Sequence, residues 1–221
     1  MVKLNNLDTQ RTVLYVAKNG NKYPIKIYSK IISRKDVVFE PDKIENLCKI
    51  GCKNYSRSGG CPPLAPKFDN ILWESEKYIL ICGIFDSVYK TDKVKACSNR
   101  AIHWKFQDAI MARVMDKIGK LLTADVGGKY LSTGYCMGCP GEKCAVKLGN
   151  WCRKPERRTF SMEATGINVV QTVKQNLGLE FYWYTKTNMD VPYMMKTILY
   201  NSKDVKRAKE CICKLSVISY S

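Results

Sequence analysis

The chain has 221 residues, 45% hydrophobic and 26% charged, a balance that excludes an intrinsically disordered segment and fits a single domain over residues 1–221. Its 37 Lys and Arg against 20 Asp and Glu give a formal charge of +17, which favours anionic partners such as RNA or an acidic protein over neutral ones. The longest apolar run, Tyr78 to Phe85, is far short of the roughly 20 residues a bilayer-crossing helix needs, and the opening MVKLNNLDTQ has no signal-peptide core, so a cytoplasmic protein without membrane contact is expected.

In chain order, two β-rich runs come first, Thr12 to Val16 and Tyr23 to Tyr28, separated by Asn19-Gly20-Asn21, which is a hairpin signal. A third strand is expected in Tyr78 to Val88, apolar enough to be central and covered on both faces. From about Lys95 to Leu122, Ile102, Phe106, Ile110, Val114 and Ile118 recur every four positions, widened by Met111, Met115 and Leu122, and predict a helix. Tyr130-Leu131-Ser132 reads as a short strand. A second helix is expected to start at Ser161 as N-cap, bury Ile167, Val170, Val173 and Leu177, and stop at Gly178. Leu179 to Thr185 and Met194 to Tyr200 read as strands joined by a loop containing Pro192, and a basic tail follows from about residue 203. The order fits an α+β fold, a mainly antiparallel sheet packed against two helices, with two cysteine-rich loops between the elements.

The 11 cysteines are the unusual feature. Cytoplasmic thiols stay reduced, which turns clustered cysteines towards metal binding rather than disulfides. The single histidine, His103, excludes a multi-histidine zinc site, and its place in the long helix reads as an ordinary surface or core imidazole. Cys136-Met-Gly-Cys139, Cys144 and Cys152 place four thiols in a Gly/Pro-rich stretch, where glycines let backbone N–H groups turn towards sulfur around one inorganic centre. Cys48-x-x-x-Cys52 and Cys61-Pro62-Pro63 form a second set of three. A fourth ligand for that set would come from Cys97, from Cys211 or Cys213, or from outside the chain, and three protein ligands would leave a metal position open to an exogenous molecule. Cys82, inside the predicted central strand, reads as a small core residue.

A structural zinc site pairs two Cys-x-x-Cys knuckles, whereas this chain has one such pair followed by unevenly spaced thiols beside proline, closer to iron–sulfur loops. Iron–sulfur clusters, one or two and of the 4Fe-4S type, are therefore the expected cofactor, with zinc as the alternative. No Walker loop or dinucleotide fingerprint is present in the sequence.

The Cys48 to Tyr55 stretch with Cys61-Pro62-Pro63, the Cys136–Cys139 pair, Cys152-Arg153-Lys-Pro155 and the block Ser161 to Val169 together resemble a microbial family of unknown function, the predicted metal-binding proteins of domain of unknown function 2284. The resemblance runs from about Lys43 to the strand near Tyr200. It implies that Cys48, Cys52, Cys61, Cys136, Cys139, Cys144 and Cys152 are metal ligands, and it brings no reaction with it. Asn168 stands where relatives commonly carry Asp, which argues against an acid at that position. The tail with Cys211 and Cys213 lies beyond it.

Three functions follow as expectations. The first is an iron–sulfur electron-transfer protein of an anaerobe, serving an oxidoreductase system through an acidic redox protein or enzyme subunit. Arg153, Lys154, Arg157 and Arg158 beside Cys152 would then stabilise the reduced, more negative cluster. The second is a sulfur-transfer or desulfurating enzyme using an open iron at Cys48/Cys52/Cys61. The third is a zinc-stabilised nucleic-acid-binding module, for which the aromatic and basic residues show no recognisable signature.

Overall fold

The computed structural model describes residues 9–72, 75–97, 100–139, 141–185, 194–200 and 211–220. Strands β1 (Thr9–Val16) and β2 (Lys22–Ser33) form the expected antiparallel hairpin, in register from Thr9 opposite Ser29 to Val16 opposite Lys22. The chain then passes through a 3-10 turn (Arg34–Asp36) and helices α1 (Pro41–Gly51) and α2 (Phe68–Leu72) before β3 (Lys77–Asp86), which pairs antiparallel with β2. Helix α3 (Asp92–Lys95) precedes the long α4 (Arg100–Val126), and β4 (Lys129–Leu131) leads into the second cysteine-rich segment. Helix α5 (Val169–Leu177) follows, then a two-stranded ribbon of β5 (Glu180–Thr185) and β6 (Met194–Tyr200), and finally β7 (Cys211–Tyr220). The main sheet has the order β1-β2-β3-β7-β4, antiparallel at every pairing.

The alternation of β3 divides the core. Tyr78, Leu80, Cys82 and Ile84 join Ile167, Val169 and Val173 of the α5 region on one face. Ile79, Ile81 and Phe85 join Ile110, Met111, Val114, Met115 and Leu122 of α4 on the other. A strand covered on both sides keeps its period of two but loses its polar face, which is why it reads as an unbroken apolar run. Each such side chain contributes about 1.5–3 kcal/mol on burial, so β3 is the spine of the domain. Cys82 is fully buried there, as the core reading requires.

Four details depart from expectation. The long helix starts at Arg100, not near Lys95: Lys95 ends the separate helix α3, capped by Thr91, and Cys97 lies in the connection between the two. Ile102 is 43% exposed, so the buried stripe begins only at Phe106. Helix α5 is capped by Asn168, whose Oδ1 accepts from the Gln171 N–H at 3.1 Å, whereas Ser161 accepts from the Ala164 N–H at 3.2 Å and caps a single 3-10 turn, Glu163–Thr165. Gly166 ends that turn at φ +92, a left-handed conformation from which a helix cannot continue. Residues 211–220, expected within a basic tail, form β7 between β3 and β4, with Cys211 opposite Asp86 and Cys213 opposite Ile84. The loop with Pro192, residues 203–210 and the side chain of His103 lie outside the described part. Among the described residues no helix is long and apolar enough to cross a membrane.

Candidate metal centre

The first three thiols are set by α1 and the turns after it. Pro41 starts the helix with its φ preset and its missing N–H at a position that needs none. Cys48 stands in the last turn, not in a loop as expected, and Cys52 is the C-cap, its N–H donating to the Cys48 carbonyl at 2.9 Å. One helical turn therefore brings the two thiols to the same end of α1. The chain then doubles back: Ser56 adopts φ +55 and donates its N–H to the Pro62 carbonyl at 2.8 Å, and the Cys61 N–H donates to the Ser58 carbonyl at 3.0 Å. Cys61 is buried, Cys48 half-buried and Cys52 exposed.

The other four thiols lie in the excursion between β4 and α5. Ser132 and Ser161 form a parallel bridge that closes the neck of this loop, with the Ser132 N–H donating to the Phe160 carbonyl at 2.7 Å. Just beyond it, the Met137 N–H donates to Thr159 Oγ1 at 2.9 Å, and the Thr159 N–H donates to Cys136 Sγ at 3.4 Å. Gly138 lies so close to the opposing 3-10 turn, Pro155–Arg157, that an added Cβ would sit 2.3 Å from the Arg157 carbonyl oxygen. The distal part is a 3-10 turn, Val146–Leu148, ended by Gly149, and the Asn150 N–H returns to the Ala145 carbonyl at 3.0 Å. Glu142 ties the loop across itself through ion pairs to Arg153, at 3.3 Å, and to Lys154.

The two cysteine segments, far apart in sequence, dock on each other. A Cβ on Gly60 would lie 2.2 Å from the Thr159 carbonyl oxygen and 2.7 Å from Cys136 Cβ, so only glycine allows this approach. Arg158 Nε donates to the Gly59 carbonyl at 2.7 Å and its Nη2 to the Leu64 carbonyl at 2.5 Å, while the guanidinium lies over the Phe160 ring at 5.1 Å. A cavity of about 580 Å³ opens between them, lined by Cys136, Cys139, Cys144 and Cys152 from one segment and by Ser58 and Gly59 from the other, with Lys147, Lys154 and Arg158 at its wall. Among the described residues no three His, Cys, Asp or Glu side chains meet at the spacing of a single bound ion. The seven expected ligand cysteines are all thiols, none of them joined in a disulfide.

Cys48 and Cys61 of the first set and Cys144 of the second are shifted in opposite directions. Burial pushes the Cys48 thiol up to about 12, and the Glu163 carboxylate, Cys52, Cys61 and Glu45 add to the shift. Burial also pushes Cys61 up to about 11, against a lowering hydrogen bond with Ser58. At Cys144 burial acts in the same direction, but the backbone N–H groups of Gly59, Lys147 and Val146, with the Lys147 ammonium, outweigh it and hold the thiol below its ordinary value. N–H groups and cations facing sulfur favour the thiolate; carboxylates and an apolar surround favour the thiol.

A family model described as predicted metal-binding protein (DUF2284) matches residues 30–199. The chain belongs to this family. The matched region contains α1, the turns after it and the whole of the second cysteine segment, so all seven expected ligands of this DUF2284 chain fall inside it, whereas β7 lies beyond its end. No curated protein and no solved structure matches the chain. The block Ser161 to Val169 of the DUF2284 match acts as a structural clasp: the Glu40 N–H donates to the Gly166 carbonyl at 3.0 Å, Asn168 Nδ2 donates to Glu40 Oε2 at 2.5 Å, and the Asn168 N–H donates to the Val38 carbonyl at 2.8 Å. It seats α1 against the start of α5 and brings Glu163 near Cys48. No local pattern marks Glu163 as a neighbour of Cys48 or Gly60 as a neighbour of Cys136, because each reaches that thiol only through tertiary packing.

Proposed function

We propose that this protein holds iron–sulfur clusters on its two thiol sets and uses them for one-electron transfer. The observation that carries the reading is the cavity of about 580 Å³ around which Cys136, Cys139, Cys144 and Cys152 are arranged. A single zinc ion bound at about 2.3 Å needs its four sulfurs gathered around one point, whereas a multi-iron core fills a space. The surrounding groups fit such a core: the Thr159 N–H already donates to Cys136 Sγ, backbone N–H groups face Cys144, and Lys147 and Arg158 supply positive charge beside what would be an anionic centre.

Cys136, Cys139, Cys144 and Cys152 would hold one cluster and Cys48, Cys52 and Cys61 the other. The cluster supplies reversible one-electron chemistry when bound. The chain's own part is to exclude water with the buried Cys61 side and the docked segments, to stabilise the reduced state at the second segment with N–H groups and cations, and to keep the two sets adjacent through the Gly60–Cys136 contact. Adjacent centres suit a relay from a surface donor to an interior acceptor.

A specific observation favours a second reading for the three-thiol set alone. Its sulfurs number three and Cys52 is exposed, so an iron held there would keep a coordination position within reach of a small thiol or sulfide, as a sulfur-transferring or desulfurating enzyme requires. Purification without oxygen followed by iron, zinc and acid-labile sulfide analysis tests the proposal. Several irons per chain with matching sulfide support it, and a colourless protein with one or two zinc ions and no sulfide overturns it. Titration with sulfide separates the two readings: perturbation confined to one cluster marks an open site, and an unchanged spectrum leaves electron transfer.

A further inference from the structure

The outer rim of the four-thiol segment has the anatomy of a protein-docking surface. Trp151 is 93% exposed and Leu148 63% exposed, both among the large apolar side chains that contact with water costs most. They flank Gly149-Asn150 in the loop that carries Cys144 and Cys152, and Leu148 also lines the thiol cavity. Between residues 141 and 158 the sequence carries six Lys and Arg against two Glu. Both carboxylates are already engaged, Glu142 with Arg153 and Lys154 and Glu156 with Arg157, while Lys143 and Lys147 have no acidic partner among the described residues. An exposed tryptophan and leucine three residues apart, in a segment that also carries unneutralised cations, match the composition of an interface anchor with a charged rim.

We infer that Trp151 and Leu148, with Lys143 and Lys147 of the same loop, form the docking site for a small acidic protein that carries a one-electron group near its surface, such as a ferredoxin or flavodoxin. The inference rests on the electron-transfer reading for its purpose, but the surface itself is argued from exposure and charge. Charge complementarity commits it to an acidic occupant: the cations steer encounter, and the indole supplies the contact area that holds the complex. A protein is favoured over single-stranded RNA because an aliphatic side chain shares the centre with the indole, whereas RNA recognition stacks bases on successive aromatic or guanidinium planes. The position gives the site its use, because Cys152 follows Trp151 directly and a bound carrier would stand over the wall of the thiol cavity.

The test measures equilibrium binding of purified flavodoxin and of a plant-type ferredoxin to the full chain, prepared without oxygen, at about 50 mM and about 500 mM salt. Binding of either carrier that weakens about tenfold at the higher salt, weakens about tenfold in Trp151→Ala, and recovers in Trp151→Phe is the expected result. Iron content and visible spectrum are recorded for each variant, so that an iron-free preparation counts against the cluster reading while the binding result stands on its own. Equal affinity of Trp151→Ala and the native chain for the carriers, no binding of either carrier, or Trp151-dependent binding of a single-stranded RNA in their place overturns the inference.

Discussion

The two thiol sets are neighbours in space, yet Cys48 and Cys61 in one and Cys144 in the other sit in opposite environments. Burial pushes the Cys48 and Cys61 thiols up to about 12 and about 11, with Glu163 and Glu45 adding to the shift at Cys48, while Cys144 is surrounded by N–H donors and Lys147 and is held below its ordinary value. The difference comes from backbone geometry as much as from charge. The first set hangs from the C-terminal end of α1, where carbonyls point outward and the partial charge is negative, which disfavours a thiolate. In the second, the 3-10 turn that follows Cys144 and the docked Gly59 aim N–H groups at its sulfur. A metal at Cys48 and Cys61 must supply the positive charge that deprotonates them, whereas Cys144 already leans towards the thiolate.

Alkylation of the metal-free protein probes this contrast with the largest expected effect. At pH 8 a thiol at 12 or 11 is ionised to only about one part in ten thousand or one in a thousand. Cys144 should therefore react with iodoacetamide at least about a hundredfold faster than Cys48 or Cys61, read site by site by mass spectrometry. The pH dependence has a definite sign: on raising pH from 7 to 10 the rates at Cys48 and Cys61 climb throughout, because both stay below their ionisation points, and the rate at Cys144 levels off first. Equal rates at the three positions would remove the electrostatic distinction.

Gly60→Ala should come next. Its Cβ would overlap the Thr159 carbonyl oxygen, so the segments must separate, at a cost of about 1–3 kcal/mol in denaturant unfolding and with loss of bound metal from both sets. Metal retention at native levels would show that the sets do not depend on their docking. Arg158→Met keeps much of the packing over Phe160 but leaves the Gly59 and Leu64 carbonyls without their charged donor, for an expected loss of about 1.5–3 kcal/mol from two linked hydrogen bonds, towards the lower end because the guanidinium is partly solvated. The smallest effect is expected from Asn168→Asp. It keeps an N-cap acceptor for α5 but turns the hydrogen bond with Glu40 into a repulsion, so thermal unfolding should shift down by only a few degrees, and less as Glu40 is protonated at acid pH.

Strong local patterns are legible in the amino-acid sequence itself. The β1–β2 hairpin announces itself by its turn, β3 by an apolar run too continuous for a one-sided strand, α4 by its fourfold repeat, and the end of α5 by Gly178 at φ +64. What local pattern does not carry is set by distant partners. Helix α1 is short, and although Ile44, Leu47 and Cys48 share one face, only Ile44 and Gly51 are buried, with Pro41 at its first position as a further start signal. Strand β7 carries Ile212, Val217 and Ile218 in a β-prone order, but its place between β3 and β4 requires pairing with partners as far away as Lys77 opposite Tyr220, which no local window contains. At the metal centre, the grouping of the cysteines into three and four is legible from spacing. The docking of the two groups is not, because it depends on Gly60 and Arg158 meeting carbonyls that lie far away along the chain.

The most direct test of the account is electron paramagnetic resonance, with iron counting, on the reduced native chain and on Cys144→Ser and Cys61→Ser prepared without oxygen. Two iron–sulfur signals in the native chain, with Cys144→Ser losing or altering one and Cys61→Ser the other, are the predicted result. A single signal that both variants abolish, or an iron-free native chain, would contradict two separate clusters on two separate thiol sets.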